Sequence, residues 1–173
     1  MYSFLALAMA AIALTGFRPA HQANYKIAPG YTVKVTGNDV EAYFDSLAGN
    51  IRFAPEHLDN VLFDVTIAAA SISTGIELKD KHARSKDYLN VEAFPSIRFL
   101  STSVKQTGDG HTVYGNLELH GIKLPVEIPF KFANNVFTGE FDIKRADYKI
   151  GKAKSKVAPE IHVSLSVPVV PVH

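Results

Sequence analysis

Apolar and polar residues alternate one by one through most of this chain, a period that fits half-buried β-strands and little else. Leu124, Val126, Ile128, Phe130 and Phe132 alternate with Pro125, Glu127, Pro129, Lys131 and Ala133. Ile161, Val163, Leu165, Val167 and Val169 alternate with His162, Ser164, Ser166 and Pro168. The same rule runs through residues 31–35, 42–44, 61–67, 113–119 and 137–143. A helix would scatter these apolar side chains around its circumference, whereas a strand gathers them on one face. Only residues 97–104 are less regular, because Leu100 and Val104 leave the register.

These segments predict about eight strands, joined largely by short turns such as Gly108-Asp109-Gly110, His120-Gly121 and Asn134-Asn135. Short links between successive strands imply antiparallel neighbours, and one-sided alternation is an antiparallel habit. A closed barrel removes the exposed edges of such a sheet, and a two-sheet sandwich satisfies the same alternation, so the period leaves both open. Pro125 and Pro129 fall on the polar register of their strand. Their missing N–H groups predict an edge or a locally unpaired stretch there.

Composition excludes several kinds of chemistry. The 173 residues are 47% hydrophobic and 20% charged, which is the usage of one globular domain. A formal charge of +1 gives no general basis for nucleic-acid binding. Without cysteine there is no disulfide, thiolate nucleophile, Cys-ligated zinc or iron–sulfur cluster. The seven histidines show no paired ligand spacing, so neither a metal nor a cofactor is expected. No nucleophile elbow, phosphate loop or His-Glu-x-x-His motif occurs, which leaves an enzyme only an unsignalled site.

The N-terminus stands apart. Phe4 to Phe17 is an almost wholly apolar run of fourteen residues, short of the roughly 18–20 that span a bilayer. With Ala20 and Ala23 near a cleavage region, residues 1–20 read as a signal peptide removed on export. The alternatives are a buried N-terminal helix or a membrane anchor; a lipoprotein anchor would need a cysteine. Residues 21–173 are then the single domain of a periplasmic or secreted protein, with seventeen basic and seventeen acidic side chains.

Residues 76–94 break the period of two. Leu78, His82, Leu89 and Phe94 give a weak helical rhythm, read as one or two short helical turns crossing an end of the sheet and closed by Pro95. Here the chain resembles the YceI-like family of secreted polyisoprenoid- and lipid-binding proteins. Ser71-Ile72-Ser73-Thr74-Gly75 and the block from Lys79 to Leu89 are similar to its Arg-Asp-x-His-Leu-Arg-Ser-x-Asp-Phe pattern. Gly49 to Pro55 resembles its Gly-x-Ile-x-Phe-x-Pro turn, and Phe94-Pro95-Ser96-Ile97-Arg98-Phe99 continues the order. Gly115-Asn116-Leu117 with His120-Gly121 and Pro125-Val126 is similar to a later hairpin, and Arg145-Ala146-Asp147-Tyr148 to an Arg-x-Asp-Phe element. Lys79 stands where the family usually has Arg, Ala83 where it has Leu, and Lys149 where it often has Gly.

The resemblance implies an all-β fold: an eight-stranded antiparallel lipocalin-like barrel with a short helical segment covering one end. It also implies an apolar tunnel for a long isoprenoid or fatty-acyl chain, with no catalytic residues. The expected lining is Phe44, Phe63, Val65, Phe99, Leu117, Val126, Ile128, Phe130 and Phe141, with Asp80, His82 and Arg84 at the mouth. Taken from alternation alone, filling a closed core is the default reading of each lining residue. Between Lys144 and Lys156 lie six basic residues against the single acid Asp147. They form either a solvated loop or a basic rim for anionic headgroups, making transient contact with a membrane surface. The expected function is binding, sequestration or transport of an apolar lipid. The alternatives are an envelope interaction module with a filled barrel and a lipid-modifying enzyme.

Overall fold

The computed structural model describes residues 23–38, 40–151 and 158–172. The proposed signal peptide lies outside them. Eleven strands form among them: β1 (Ala23–Ile27), β2 (Thr32–Gly37), β3 (Val40–Phe44), β4 (Leu47–Phe53), β5 (Leu62–Ala68), β6 (Ile72–Ser73), β7 (Ser96–Thr107), β8 (Gly110–Leu119), β9 (Ile122–Ala133), β10 (Val136–Lys144) and β11 (Glu160–Val172). One helix, α1, spans Glu77–Arg84, and 3₁₀ turns cover Ala69–Ser71 and Arg145–Tyr148.

All strand pairs are antiparallel, and the register reduces the eleven strands to eight ribbons. β1 pairs with β4 and β2 with β3, so these four make one long hairpin that turns after Gly37 and kinks midway. β5 and β6 form a second kinked ribbon, interrupted by the 3₁₀ turn, with β5 on β4 and β6 on β3. One edge of β11 carries β2 along His162–Ser166 and then β1 along Val169–Val172. Its other edge carries β10. The sheet therefore returns on itself as the closed eight-stranded antiparallel barrel that the sequence predicts.

Local chemistry explains the connections. Both residues of the β8–β9 turn, His120 and Gly121, have positive φ, as do Asn134 and Asn135 between β9 and β10. Tight hairpin turns of the primed type require this, and Gly and Asn enter that region at low cost. The irregular stretch in β7 is a bulge: the pairing with β8 shifts register between Ser101 and Ser103. Ile97 and Phe99 face inward before it and Val104 after it, so the inward parity changes from odd to even. The prolines of β9 also mark what they predict. β9 pairs with β10 only over Phe130–Ala133, leaving the stretch that holds Pro125 and Pro129 unpaired on that side.

One end of the barrel is filled with aromatic rings. Phe53 has no exposed surface. It meets Phe63, His111, Phe130, Phe132 and Phe137 at centroid distances of 5.2–6.2 Å, mostly edge to face. Tyr25 adds edge contacts to Phe132 and Phe137. The opposite end lies beneath α1 and the Arg145–Tyr148 turn. Gly115 lets the Phe99 ring lie against β8, since a Cβ there would come within 2.5 Å of the ring.

Phe53→Ala is expected to cost about 3–5 kcal/mol, the range for emptying a fully packed aromatic site. Urea unfolding at neutral pH measures it, and Phe53→Leu should cost clearly less.

Candidate functional site

Above the aromatic floor the interior is open. A cavity of 440 Å³ runs toward the α1 end of the barrel. Its wall is built by the inward register of almost every ribbon: Val33 and Val35 from β2, Phe63, Val65 and Ile67 from β5, Val113 and Leu117 from β8, and Val163 and Leu165 from β11. The alternation that closes the sheet thus also makes its interior apolar, since polar partners on the same strands point to solvent.

Eight of the nine expected lining residues stand on this wall: Phe44, Phe63, Val65, Phe99, Leu117, Ile128, Phe130 and Phe141. Val126 does not. It faces the interior side but is only half-buried, at a point where β9 has separated from β10. The β2 and β11 wall residues carry the same alternation signal and belong with the nine. Leu89, a member of the weak helical rhythm, and Ile150, which no periodicity reveals, also line the cavity from outside the strands.

The mouth differs from the expected polar triad. His82 lies on the cavity wall, with its ring 4.8 Å from that of Tyr88. Asp80 and Arg84 are not on the wall. The Asp80 carboxylate accepts bonds from the backbone N–H and the hydroxyl of Thr74, both at 2.6 Å. The hydroxyl bond first, then the Thr74 N–H and the nearby Arg84 charge, hold its pKa below the ordinary carboxylate range. Arg84 donates from Nη2 to the carbonyl of Ile72 at 2.7 Å. Together these bonds tie α1 to the β6 ribbon as a cover. Leu78 points away from the barrel at 77% exposure, so the helical rhythm of the sequence does not describe the buried side of α1. Leu89, buried just beyond the helix, supplies the apolar contact instead.

Across the mouth, Arg145 is buried rather than displayed on a rim. Its Nε donates to the Ala158 carbonyl at 3.1 Å and its Nη1 to the Ile150 carbonyl at 2.6 Å. Lys144 and Lys149 remain exposed, while Lys152, Lys154 and Lys156 lie outside the described residues. Lys149 has φ of +53°, a left-handed conformation that glycine enters at lower cost. Lys79 and His82 are the exposed basic side chains on the wall itself. Among the described residues, no group of three or more His, Asp or Glu could hold a metal ion, and no helix is long and apolar enough to cross a membrane.

At the floor, His111 stacks on Phe130 and meets the edge of Phe53. Its buried Nδ1 has no hydrogen-bond partner among the described residues. Burial pushes its pKa below the ordinary imidazole value.

Comparison with known proteins fits this geometry. A sequence profile of the YceI-like domain matches residues 20–169. A UPF0312 protein of Yersinia enterocolitica is 32% identical over 134 residues, covering 72% of this chain and 70% of that protein. A UPF0312 protein of Yersinia pseudotuberculosis matches with the same identity and coverage. Among solved structures, Burkholderia cenocepacia BcnA superposes with a TM-score of 0.76 at 23% identity, over 81% of this chain and 96% of that one. A polyisoprenoid binding domain from Saccharophagus degradans superposes with a TM-score of 0.62 at 14% identity, over 88% and 100%. The chain belongs to the YceI-like family.

His111→Phe should stabilise the protein by about 1 kcal/mol at pH 7.5 by removing an unpaired buried nitrogen. In the parent, the neutral ring's contribution is complete above about pH 6.5 and is lost as pH falls through that value toward the lower folded pKa. The advantage of the variant should therefore widen at pH 5.5. Chemical denaturation at both pH values measures it, and a gap that narrows with acid contradicts a depressed pKa.

Proposed function

We propose that this YceI-like protein binds a long apolar chain, of polyisoprenoid or fatty-acyl type, inside the barrel and sequesters or carries it without converting it. The observation that carries this reading is the cavity itself: walls of Val, Leu, Ile and Phe from nearly every ribbon, above a floor of rings packed mostly edge to face. Each methylene transferred from water to such a wall contributes about 0.8 kcal/mol, so ten contribute roughly 8 before ordering costs. The related fold of a polyisoprenoid binding domain is consistent with that class of ligand.

The polar end of the ligand lies at the α1 end, beside Lys79 and His82, because the floor is closed by aromatic side chains. The basic contacts there favour a carboxylate or phosphate headgroup. The exposed Lys144 and Lys149 favour contact with anionic membranes. Arg145 is not part of that contact, being committed to backbone carbonyls. The apolar N-terminal segment supports export, which places the protein among envelope or secreted lipids. A carrier role is favoured over catalysis because the wall, among the described residues, holds no carboxylate and its guanidinium, Arg145, is bonded to backbone carbonyls.

Two measurements check the reading. Native mass spectrometry of the protein as purified from cells should show a bound species that organic solvent extracts, in a ratio near one per chain. Leu117→Trp, which fills the cavity with an apolar ring, should leave the barrel folded and weaken binding of a fatty-acyl probe by about tenfold or more. An empty parent that takes up neither fatty-acyl nor isoprenoid probes contradicts it. Transfer of bound probe to anionic vesicles should slow as salt rises, within the range where surface charges are screened.

A further inference from the structure

The barrel wall is incomplete on one side. β9 and β10 pair only from Phe130 to Ala133 and from Val136 to Gly139. Beyond that, β9 stays on β8 as far as Ile122, and β10 stays on β11 as far as Lys144. The two strands part and leave a window in the wall. Its lower limit is the Phe130–Gly139 rung. At the top it is bridged by His120 in the β8–β9 turn, whose Nδ1 lies 2.9 Å from the carbonyl oxygen of Tyr148.

The sequence holds the window open. Pro125 and Pro129 stand opposite Asn116 and Thr112 of β8 in an unbroken ladder. A proline is tolerated there only where that ladder needs no N–H, so both nitrogens face β10. Continuing the register of Lys131 with Thr138 would require three more hydrogen-bonded rungs. Those would set Pro129 against Glu140, Glu127 against Asp142 and Pro125 against Lys144. Two of the three lack an N–H, and the third places two carboxylates opposite one another.

The window opens onto the cavity. Ile128 on one side and Gly139, Phe141 and Ile143 on the other are cavity wall. Along β9, the inward face changes from buried at Phe130 and Ile128 to half-buried at Val126 and Leu124, so the frame is apolar and reachable from solvent. At the α1 end the cavity lies beneath a fastened cover. Opening it would break the Asp80–Thr74 and Arg84–Ile72 bonds that fasten α1.

We infer that the window between β9 and β10 is a side port through which the apolar chain enters and leaves. The inference rests on the proposed binding of such a chain and specifies its route. The chain contains no cysteine, so Glu127→Cys with Asp142→Cys introduces its only two thiols. A reducible bis-maleimide joining them bars the window. Ala48→Cys with Thr66→Cys, on the intact β4–β5 ladder, is the control pair. The probe is cis-parinaric acid, followed by stopped-flow fluorescence and by equilibrium titration.

With the window barred, uptake and release should both slow by about tenfold or more at little-changed affinity, as a gate requires. Reductant should restore the rates, and the control crosslink should leave them unaltered. A barred protein that exchanges probe at the parent rate overturns the port and leaves binding intact. A parent that takes up no probe overturns the binding reading and the port with it. Pro125→Val with Pro129→Val returns both donors. It should slow exchange while the new amides at those two positions become protected from hydrogen exchange. Protected amides with unchanged rates would also overturn the port.

Discussion

A pleated strand sends every second side chain to one face, and a closed ring of eight ribbons sends all those faces to one interior. How that interior is filled decides what the barrel can do. Phe53, with Phe63, Phe130, Phe132 and Phe137, fills one end so completely that it has no exposed surface. Those rings anchor the ends of β4, β9 and the starts of β5 and β10. The remaining length of wall can then stay open without losing the fold. Toward α1 the same inward register carries Val, Leu and Ile that do not meet across the axis. The packed rings lie at the floor, and the open cavity lies above it.

The polar chemistry of the other end serves mainly to hold the cover in place. Asp80, Arg84 and Arg145 each satisfy backbone groups that irregular segments would otherwise leave without partners. Asp80 bonded to Thr74 fixes the chain where it leaves β6, and Arg145 fastens the turn after β10 to the start of β11. Among the described residues, Lys79 and His82 present exposed basic groups on the cavity wall. Surface ion pairs such as Arg98–Asp64 lie on the outer face and contribute little to this arrangement.

Much of the fold was legible because period two is a geometric consequence of the strand. Phe63, Val65, Leu117, Ile128 and Phe141 could be placed inside from spacing alone, and the β9 prolines marked a place where pairing fails. The kinks were not legible. Residues 40–53 make two strands with different partners, and no spacing shows that they continue one ribbon. The bulge at Ser101 to Ser103 was visible only as an irregularity. Val126 carried the right parity but sits where its strand leaves the ring, a tertiary fact that parity does not encode. At the mouth, Asp80 and Arg84 stood out by charge and motif, yet their side chains turn to backbone partners. Leu89 and Ile150 reach the cavity from outside the strands, where no period of two points inward.

Cavity, floor and cover support the proposal that the hollow apolar interior holds a hydrocarbon chain with its polar end toward α1. Intermolecular NOEs between uniformly ¹³C-labelled palmitate and the methyl groups of the protein test this most directly. Contacts are expected from the chain to Val65, Leu117, Ile128 and Leu165, with the carboxyl end nearest His82. Contacts confined to outward-facing methyls such as those of Leu78 and Val170, or a carboxylate lodged against the Phe53 cluster, would contradict it.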